Sequence, residues 1–494
     1  MKDWSIKNLL SACTIPTLTV TFFVYLAFIP EVHIFTSLSN FDSTRVLECL
    51  LLLGITLASS LNSQFREYLF NRILIIKNFQ IISLLSIFLV LGIASSFIKA
   101  DKTRYALLDI SILILLLYTS TFISYAVYSR KENITKYISF FLIILAIIPI
   151  WNFLTCLFYN PNVHLKETAI IAFWEYSNIR YFNQIQSWLF FLLIIPILYW
   201  KKKNNLFYFT SFGVLSFWWL LLFASECRGT LLSVFLASII IFFTFRKNSK
   251  NIFTTQFISF ATGISLYFLS IFFNFITSES SKKLALATID TDSNGRLILW
   301  KKSLSAIAQN PFLGIGPMHY AHDVPKISSS PHNLFFQISS EWGVISACIV
   351  LLVIFIFLKR WVQQFYLHTH NQDKNLYCYP ILFATFLSAF IHSFFSGIFI
   401  SPNSQVILSG VVGLMFGIYN RQAEDRNNNK FISLKCKICV YSVIILSCSI
   451  VIYTLLKDTP NLKDWNTNYM TTYEDFLRPR FWAQGKFGLS STNN

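Results

Sequence analysis

The sequence predicts an all-α fold, a polytopic transmembrane helix bundle of about 12–13 spans with one long outer loop that contains an interfacial helix. Hydrophobic residues make up 54% of the chain and charged residues only 13%, a balance that excludes a large soluble domain. Apolar runs of about 20 residues, enough to cross a bilayer, recur along most of the chain. One long polar interruption, residues 277–333, divides them.

Thirteen apolar runs are candidate spans. We predict that each forms an α-helix, because an open strand would leave backbone groups unpaired in lipid. The candidates are Ser11–Pro30, Val46–Leu61, Phe79–Ile98, Tyr105–Val127, Tyr137–Phe158, Gln186–Trp200, Leu206–Ser225, Thr230–Phe245, Phe253–Ile276, Trp342–Leu358, Tyr377–Ile400, Gln405–Tyr419 and Ile438–Leu456. Because Glu48 and Asp109 lie within two of these runs, counts of twelve and fourteen also fit the pattern.

Basic residues in alternate loops predict the orientation, since Lys and Arg are enriched on the cytoplasmic side. The loops assigned to that side carry Arg66, Arg72, Lys77, Arg130, Lys131, Lys136, Lys201, Lys202, Lys203, Arg246, Lys247, Lys250, Lys359, Arg360, Arg421, Arg426 and Lys430. One cluster on the other side, Lys99, Lys102 and Arg104, does not follow the rule. The net charge of +17 is therefore mainly a topology signal. It does not indicate a nucleic-acid partner, because no soluble binding fold accompanies it.

This orientation divides the chain into four predicted regions. They are N-terminal transmembrane helices (1–276), an outer loop with the chemistry (277–333), C-terminal transmembrane helices (334–456) and an outer tail (457–494). The tail contains the run Arg478-Pro479-Arg480-Phe481-Trp482, for which the sequence alone gives no role.

The turn at residues 225–230, SECRGT, joins two predicted spans on the outer side. An arginine close to apolar segments is costly unless it has a partner. Its planar fork donates two hydrogen bonds and suits a phosphate. Arg228 is therefore a candidate phosphate ligand. A salt bridge with Glu226, or contact with a lipid headgroup, is the competing interpretation.

A helix with one apolar stripe is predicted within the outer loop and ends at Asn310-Pro311. The stripe consists of Leu297, Trp300, Leu304 and Ile307. Such a helix would lie on the membrane surface with its polar face outward. Arg296 falls in its first turn, where the helix dipole also favours an anion. The competing interpretation is an interfacial arginine that contacts only lipid phosphates.

A glycine-rich turn and two histidines follow. Gly314 and Gly316 predict a tight turn that folds the loop back. As a phosphate loop, this segment lacks a P-loop lysine and a preceding strand. His319 and His322 have a spacing that can serve a metal on a helix, but Asp323 would point away from their shared face. We predict no metal site here, and we include Gly314, Gly316 and His319 among the substrate-binding residues.

The segment Pro331-His332-Asn333 stands where the outer loop re-enters the membrane. A neutral imidazole at this place can take a proton from an attacking hydroxyl group, so His332 is the candidate catalytic base. The competing interpretation is a histidine hydrogen-bonded at a helix start. Glu341 is a possible partner and a further candidate substrate-binding residue.

Arg228, Arg296 and His332 lie on the same outer side in the predicted topology. Two guanidinium groups can hold a lipid diphosphate and stabilise it as it leaves, and a base can activate the acceptor hydroxyl. Such a leaving group requires no nucleotide, and the guanidinium charge can replace a metal. The sequence therefore predicts group transfer from a lipid diphosphate without a cofactor.

Three motifs resemble those of the bacterial O-antigen ligase/polymerase superfamily of membrane glycosyltransferases. The first is Cys227-Arg228-Gly229, where the family usually has Ser-Arg-Gly. The second is Arg296 with Leu297 and Trp300, running into residues 310–316, NPFLGIG. The third is Pro331-His332-Asn333, followed by Gln337, Glu341 and Gly343. The resemblance covers roughly Phe223 to Leu358. It implies that Arg228 and Arg296 bind the diphosphate and that His332 activates the acceptor.

The resemblance also implies the substrates and the place. The expected donor is a glycan linked to undecaprenyl diphosphate, used at the periplasmic face of the bacterial inner membrane. The first interpretation is a ligase that transfers O-antigen to lipid A-core oligosaccharide. The second is a protein O-oligosaccharyltransferase that acts on Ser or Thr of an exported, pilin-like protein, and the third is an O-antigen polymerase. The non-enzyme alternative is a polysaccharide transporter or flippase, although no internal repeat is visible.

Overall fold

The computed structural model describes residues 37–73, 79–129, 134–161, 163–277, 293–323, 328–369, 376–422, 433–473 and 477–485. Within these ranges the chain forms helices and turns and no strand, which confirms the all-α prediction. The first predicted span, Ser11–Pro30, and residues 278–292 of the outer loop lie outside these ranges.

The N-terminal helices overlap the predicted spans, although those that begin at Asn40 and Ile179 start six and seven residues before the predicted Val46–Leu61 and Gln186–Trp200. Short helices connect some of them. They are α1 (Asn40–Ser60), α2 (Ser63–Tyr68), α3 (Phe79–Ile98), α4 (Thr103–Ser129), α5 (Ile134–Tyr159), α6 (Leu165–Ala172), α7 (Ile179–Leu192), α8 (Ile194–Trp200), α9 (Asn205–Ala224), α10 (Arg228–Phe245) and α11 (Lys250–Thr277). Asparagine side chains cap three of these helices: Asn62, Asn178 and Asn204 each accept a hydrogen bond from a first-turn N–H. These caps satisfy amides that have no helical partner, and so fix where α2, α7 and α9 begin.

The second group starts with the predicted interfacial helix. It comprises α12 (Ser293–Gln309), α13 (Tyr320–Asp323), α14 (Leu334–Trp342), α15 (Val344–His368), α16 (Cys378–His392), α17 (Pro402–Gln422), α18 (Leu434–Asp458) and α19 (Leu462–Tyr473). The predicted span Trp342–Leu358 begins at Val344 instead, because Gly343 has a φ of +88° and separates α14 from α15.

Eight helical segments in the described ranges are long and apolar enough to cross a membrane, or nine if the bent pair α1–α2 forms one span. This is fewer than the predicted 12–13. One apolar segment, Arg228–Phe272, contains both α10 and most of α11, which the sequence predicts as separate spans. The apolar helix α16 has 15 residues and is shorter than a full crossing. The polytopic helix bundle itself is confirmed.

The helices meet at two ends of the bundle. At one end, the backbone N–H of Lys102, before α4, donates to His319 Nε2 at 3.0 Å, and Arg104 pairs with Asp458 at the end of α18 at 2.9 Å. The start of α10 and the end of α16 also meet there, since Gly229 faces His392. We call this the site end, because the candidate residues lie there.

The opposite end holds the other termini of the same helices. Arg360 of α15 donates to Gln80 of α3 at 2.8 Å, and the Tyr366 hydroxyl donates to the Thr244 carbonyl of α10. The connections at this end carry the predicted cytoplasmic residues that are described, among them Arg66, Arg72, Lys136, Lys201, Lys202, Lys203, Arg246, Lys247, Arg360 and Arg421. We call this the basic end.

Two glycines allow α17 to approach α4 closely at the centre of the bundle. A Cβ on Gly413 would lie 2.7 Å from Ile123 Cβ, and one on Gly417 would lie 2.5 Å from Val127 Cβ. Small residues at helix contacts are typical of membrane bundles, where packing has to supply most of the association energy. This contact fixes the helices between the N-terminal and C-terminal parts of the chain.

Candidate functional site

The turn before α10 exposes Arg228. Glu226 has a φ of +52°, and α10 begins at Arg228 itself. The turn is fixed by Ser225, whose hydroxyl oxygen accepts a hydrogen bond from Asn183 Nδ2 at 2.7 Å. Glu226 forms its ion pair with Lys166 at 2.7 Å. Arg228 is exposed and has no carboxylate partner among the described residues, so the competing interpretation, a salt bridge with Glu226, does not hold.

Arg296 lies in the first turn of α12, as the sequence predicts. The helix is held in place by Trp300, whose Nε1 donates to the carbonyl of Pro331 at 3.1 Å. The predicted apolar stripe is packed only in part, because Leu297 and Leu304 are 51% and 53% exposed. An outward apolar face fits a helix that lies at a membrane surface.

The turn that carries Arg228 and the charge of Arg296 both lie near one buried histidine. His392 is the last residue of α16 and is 3% exposed. Gly229, next to Arg228, faces it so closely that a Cβ there would lie 3.1 Å from Nε2. The charge of Arg296 lies within electrostatic range of the same ring. Sequence reasoning missed His392, because it falls inside the apolar run Tyr377–Ile400 and nothing local distinguishes it.

His332 lies in a sharp turn directly before α14. Its φ is +53°, and its Nε2 is 3.0 Å from the hydroxyl of Ser328. The backbone N–H of Leu334 donates to the carbonyl of Ser393 at 2.9 Å. The turn is therefore anchored to the residue that follows His392. Through this connection the three predicted residues Arg228, Arg296 and His332 all border the end of α16.

A small cleft opens beside His332. Hydroxyl and amide side chains line part of it, those of Ser330, Gln337, Ser393 and Ser396. Polar groups of this kind orient a ligand that carries hydroxyl groups. The cleft therefore places the His332 imidazole next to groups that can hold an alcohol.

The glycine turn has the folded-back form that its sequence predicts. Gly314 and Gly316 have φ values of +68° and +109°, which glycine adopts without strain. The N–H of Ile315 donates to the Ser340 carbonyl at 2.8 Å, and the N–H of Gly316 donates to the Glu341 carbonyl at 3.1 Å. These contacts attach the loop to α14. A substrate-binding role for the two glycines stays a prediction.

His319 is buried with both ring nitrogens engaged. Its Nε2 accepts a hydrogen bond from the N–H of Lys102 at 3.0 Å, and its Nδ1 is 2.9 Å from the Pro317 carbonyl. The ring therefore carries its proton on Nδ1 and ties the loop to the start of α4. No group of three metal-binding side chains occurs among the described residues. A role for His319 in substrate binding stays a prediction.

Glu341 lies in a buried ion cluster rather than beside His332. It is 1% exposed and pairs with Arg480 at 2.8 Å, and Arg480 also lies 3.7 Å from Asp109. Burial raises the pKa of Glu341 to about 7, an effect that Arg480 opposes and Asp109 reinforces. One carboxylate oxygen accepts the N–H of Tyr320 at 3.2 Å. These contacts give Glu341 a structural part, and its substrate contact stays a prediction.

The tail contributes a segment to the site end that sequence reasoning did not assign. The hydroxyl of Ser329 donates to the Pro479 carbonyl, which joins residues 477–485 to the His332 loop. Further along, Trp482 Nε1 donates to Asp458 at 3.0 Å, and the N–H of Ala483 donates to Asp42 at 2.7 Å. No signal in the sequence connects these residues, because their partners lie far away in the chain. The predicted four-region division stays a prediction.

The fold and the site together define a class: a polytopic, all-α membrane protein with a histidine and two guanidinium groups at one end of its bundle, neither of them paired with a carboxylate in the described ranges. Residues 212–351 match the family model described as O-antigen ligase. This match supports membership of the O-antigen ligase superfamily and, in general terms, a glycosyltransferase activity of the ligase/polymerase type. The match runs from α9 into α15 and includes Arg228, Arg296 and His332. No curated protein matches the chain.

Proposed function

We propose that this protein transfers a glycan from undecaprenyl diphosphate to a hydroxyl group of lipid A-core oligosaccharide at the periplasmic face of the bacterial inner membrane. One observation carries the proposal. Gly229, next to Arg228, packs against His392 at the site end, the charge of Arg296 acts on the same ring, and neither arginine has a carboxylate partner among the described residues. Two guanidinium groups left without an acid suit a diphosphate.

The distribution of charge supports the periplasmic side. The described basic connections lie at the opposite end of the helices from the candidate residues. Positively charged loops stay in the cytoplasm, so the site end faces outward. A lipid-linked donor in the outer leaflet would present its diphosphate at this level.

The proposed reaction is a single displacement at the sugar. The acceptor hydroxyl oxygen attacks the anomeric carbon, and the bond from that carbon to the diphosphate oxygen breaks. The electron pair leaves with the diphosphate, whose growing negative charge Arg228 and Arg296 stabilise. The acceptor proton passes to a ring nitrogen of His332. The guanidinium charge does the work of a Lewis acid in this proposal, which assigns no step to a metal or a nucleotide.

The test is gene deletion followed by complementation. We expect lipopolysaccharide to lose its O-antigen, wild-type protein to restore it and His332→Ala not to restore it at equal membrane abundance. His368→Ala is the matched control, because His368 ends α15 at the basic end. Restoration by His332→Ala would reject the assignment of the base.

The molecule that loses its sugar in the deletion strain identifies the acceptor. Loss of sugar from a pilin or another exported protein, with normal lipopolysaccharide, would replace the ligase with a protein transferase. Lipopolysaccharide that carries one repeat unit would indicate a polymerase. If no glycoconjugate changes, the proposed reaction is wrong.

A further inference from the structure

The first turn of α10 offers backbone donors that the protein does not use. The first helical hydrogen bond runs from the N–H of Leu231 to the carbonyl of Cys227 at 3.2 Å, so the amides of Arg228, Gly229 and Thr230 precede the ladder. Cys227 occupies the cap position and forms no capping bond with its side chain. Cysteine is a weak acceptor, unlike the Ser, Thr, Asp or Asn that usually cap a helix. Within the described part of the chain, these three amides have no protein acceptor.

A buried histidine is aimed at this turn. His392 is 3% exposed, and its Nε2 lies 3.1 Å from the place that a Cβ on Gly229 would occupy. Among the described residues the ring has one hydrogen-bond contact, between Nδ1 and the Ser187 hydroxyl at 2.6 Å. The ring is therefore buried, and its Nε2 faces α10 and has no protein partner in the ranges described.

Both tautomers of His392 fit the surroundings of Ser187. The Ser187 hydroxyl oxygen lies 2.6 Å from His392 Nδ1, 3.2 Å from the Asn183 carbonyl oxygen and 3.3 Å from Thr230 Oγ1. A hydroxyl has one proton to donate. When that proton goes to Nδ1, the imidazole proton sits on Nε2, and the N–H points toward the start of α10.

We propose that the Nε2–H of His392, the free amides of the first turn of α10 and the Arg228 guanidinium form one subsite for a phosphate group of the donor's diphosphate. The inference rests on the proposed function and adds a substrate-binding residue to it. Phosphate oxygens accept several hydrogen bonds at once, and the positive end of a helix dipole favours the anion. Gly229 is required at this place because a side chain would fill the space between the helix and the ring.

The test separates donation by Nε2 from mere packing. The amide nitrogen of a Gln side chain reaches about as far as Nε2, whereas that of Asn reaches only about as far as Nδ1. We therefore compare His392→Gln, His392→Asn and His392→Leu, with Gly229→Ala as a steric block. The probe is undecaprenyl diphosphate added to the purified full-length protein in detergent, and the readout is its Kd. Each variant's Tm without ligand is measured alongside.

We expect His392→Gln to bind within about threefold of wild type, and His392→Asn, His392→Leu and Gly229→Ala to bind about tenfold or more weakly, the effect of losing a hydrogen bond to a charged group. The control, His368→Leu at the basic end, should leave the Kd unchanged. If His392→Leu lowers the Tm without ligand, its weak binding can result from altered packing. The comparison of His392→Gln with His392→Asn then tests whether Nε2 donates a hydrogen bond to the ligand. Equal binding by those two would overturn the subsite.

The two proposals fail in different ways. Wild-type protein that does not bind undecaprenyl diphosphate would overturn the proposed donor, and the subsite with it. Weak binding by Arg228→Ala with normal binding by His392→Leu would overturn the subsite and leave the function standing. Competition by inorganic pyrophosphate, but not by phosphatidylglycerol, supports a site for a diphosphate. Equal competition by phosphatidylglycerol would mean a general lipid-headgroup site and would overturn the inference.

Discussion

The described arginines include some that form ion pairs with a carboxylate and others that do not. Arg45 and Arg480 are buried and bonded to the carboxylates of Glu48 and Glu341. Arg228 has no such partner within the described ranges. A buried guanidinium that has an acid is neutralised and fixes the fold, because an unpaired buried charge is costly. A guanidinium near a membrane that has no acidic partner can bind an anionic ligand.

Replacing Arg228 or Arg296 with alanine should greatly slow transfer without unfolding the protein. We expect Arg228→Ala and Arg296→Ala each to lower the rate of glycan transfer about 100- to 1000-fold, the effect of losing one donor to a developing oxyanion. The Tm should stay near that of wild type, because neither side chain supports the bundle. Transfer by purified protein and thermal unfolding measure the two effects.

Arg360→Ala is the control for this prediction, since Arg360 contacts Gln80 at the basic end and should be dispensable. Arg228→Lys should keep part of the activity, because lysine retains the charge and loses the fork. Near-normal transfer by either alanine variant would contradict the assignment.

The sequence predicts those candidate site residues whose signal is local. Arg228, Arg296 and His332 each stand in a polar segment between apolar runs, so residue type and position indicate them. His392 has no such signal, because its relevance depends on Gly229, which lies far away in the chain. Glu341 is the reverse case, because the sequence suggests a partner for it that the structure does not show. It stands near the histidine in the sequence, but its side chain turns to Arg480, a partner that spacing cannot reveal.

At the scale of elements, the tail segment 477–485 acts as a strap across the site end. It is joined to the His332 loop through Ser329 and to α14 through the pair of Arg480 with Glu341. The guanidinium of Arg45 donates to the carbonyls of Phe481 and Arg480 at 3.3 and 3.2 Å. The strap therefore connects α1 with the His332 loop, and its loss should loosen both.

Removing the Arg480 charge should destabilise the protein in a pH-dependent way. Burial raises the Glu341 pKa from 4.5 to about 7 in the folded protein. Its ionised form is therefore disfavoured by folding, and stability falls as the pH rises through that value. Arg480→Gln removes the opposing charge and raises the pKa further. We expect a cost of about 3 kcal/mol at about pH 8 and a smaller one at about pH 5, where Glu341 is protonated.

Thermal unfolding of wild type and Arg480→Gln at both pH values measures this difference. The double variant Glu341→Gln with Arg480→Gln is the control, because it contains no ionised carboxylate at position 341. Its Tm should exceed that of Arg480→Gln at the higher pH, and its loss relative to wild type should vary less with pH. A loss for Arg480→Gln that is equal at both pH values would show that the cluster does not work through charge.

The elements themselves could be predicted better than their contacts. Predicted spans coincide with helices because runs of apolar residues and asparagine caps are local features. The break at Gly343 was not predicted, because it depends on the close approach of Phe312, whose carbonyl oxygen lies 2.0 Å from where a Cβ of Gly343 would be. The strap was not predicted either, since a polar tail carries no periodicity.

At the scale of the whole molecule, the contact between α4 and α17 holds the two parts of the chain together. We expect Gly417→Ala to lower the Tm, because its Cβ would lie 2.5 Å from Val127 Cβ and 2.9 Å from the Ser124 carbonyl oxygen. Both neighbours belong to α4 and cannot move without displacing the helix, so overpacking should cost about 1–3 kcal/mol. Thermal unfolding in detergent measures the change.

Gly54→Ala is the matched control, because a Cβ on this helical glycine meets nothing within 4 Å. Alanine favours a helix over glycine by about 1 kcal/mol, so this variant should be as stable as wild type or more stable. A Gly417→Ala protein as stable as the Gly54→Ala protein would show that the close contact is not needed for assembly.

Sidedness is the property of the whole molecule on which the proposed chemistry depends. With the native cysteines replaced, Lys463→Cys places one thiol at the exposed start of α19, and Lys202→Cys places one at the exposed basic end. A membrane-impermeant maleimide added to intact spheroplasts should label the first and not the second, because the positive-inside rule assigns the basic end to the cytoplasm. Lysed cells should label both. Labelling of position 202 alone in intact cells would place the two arginines and His332 on the cytoplasmic side, where an outward-facing lipid diphosphate cannot reach them.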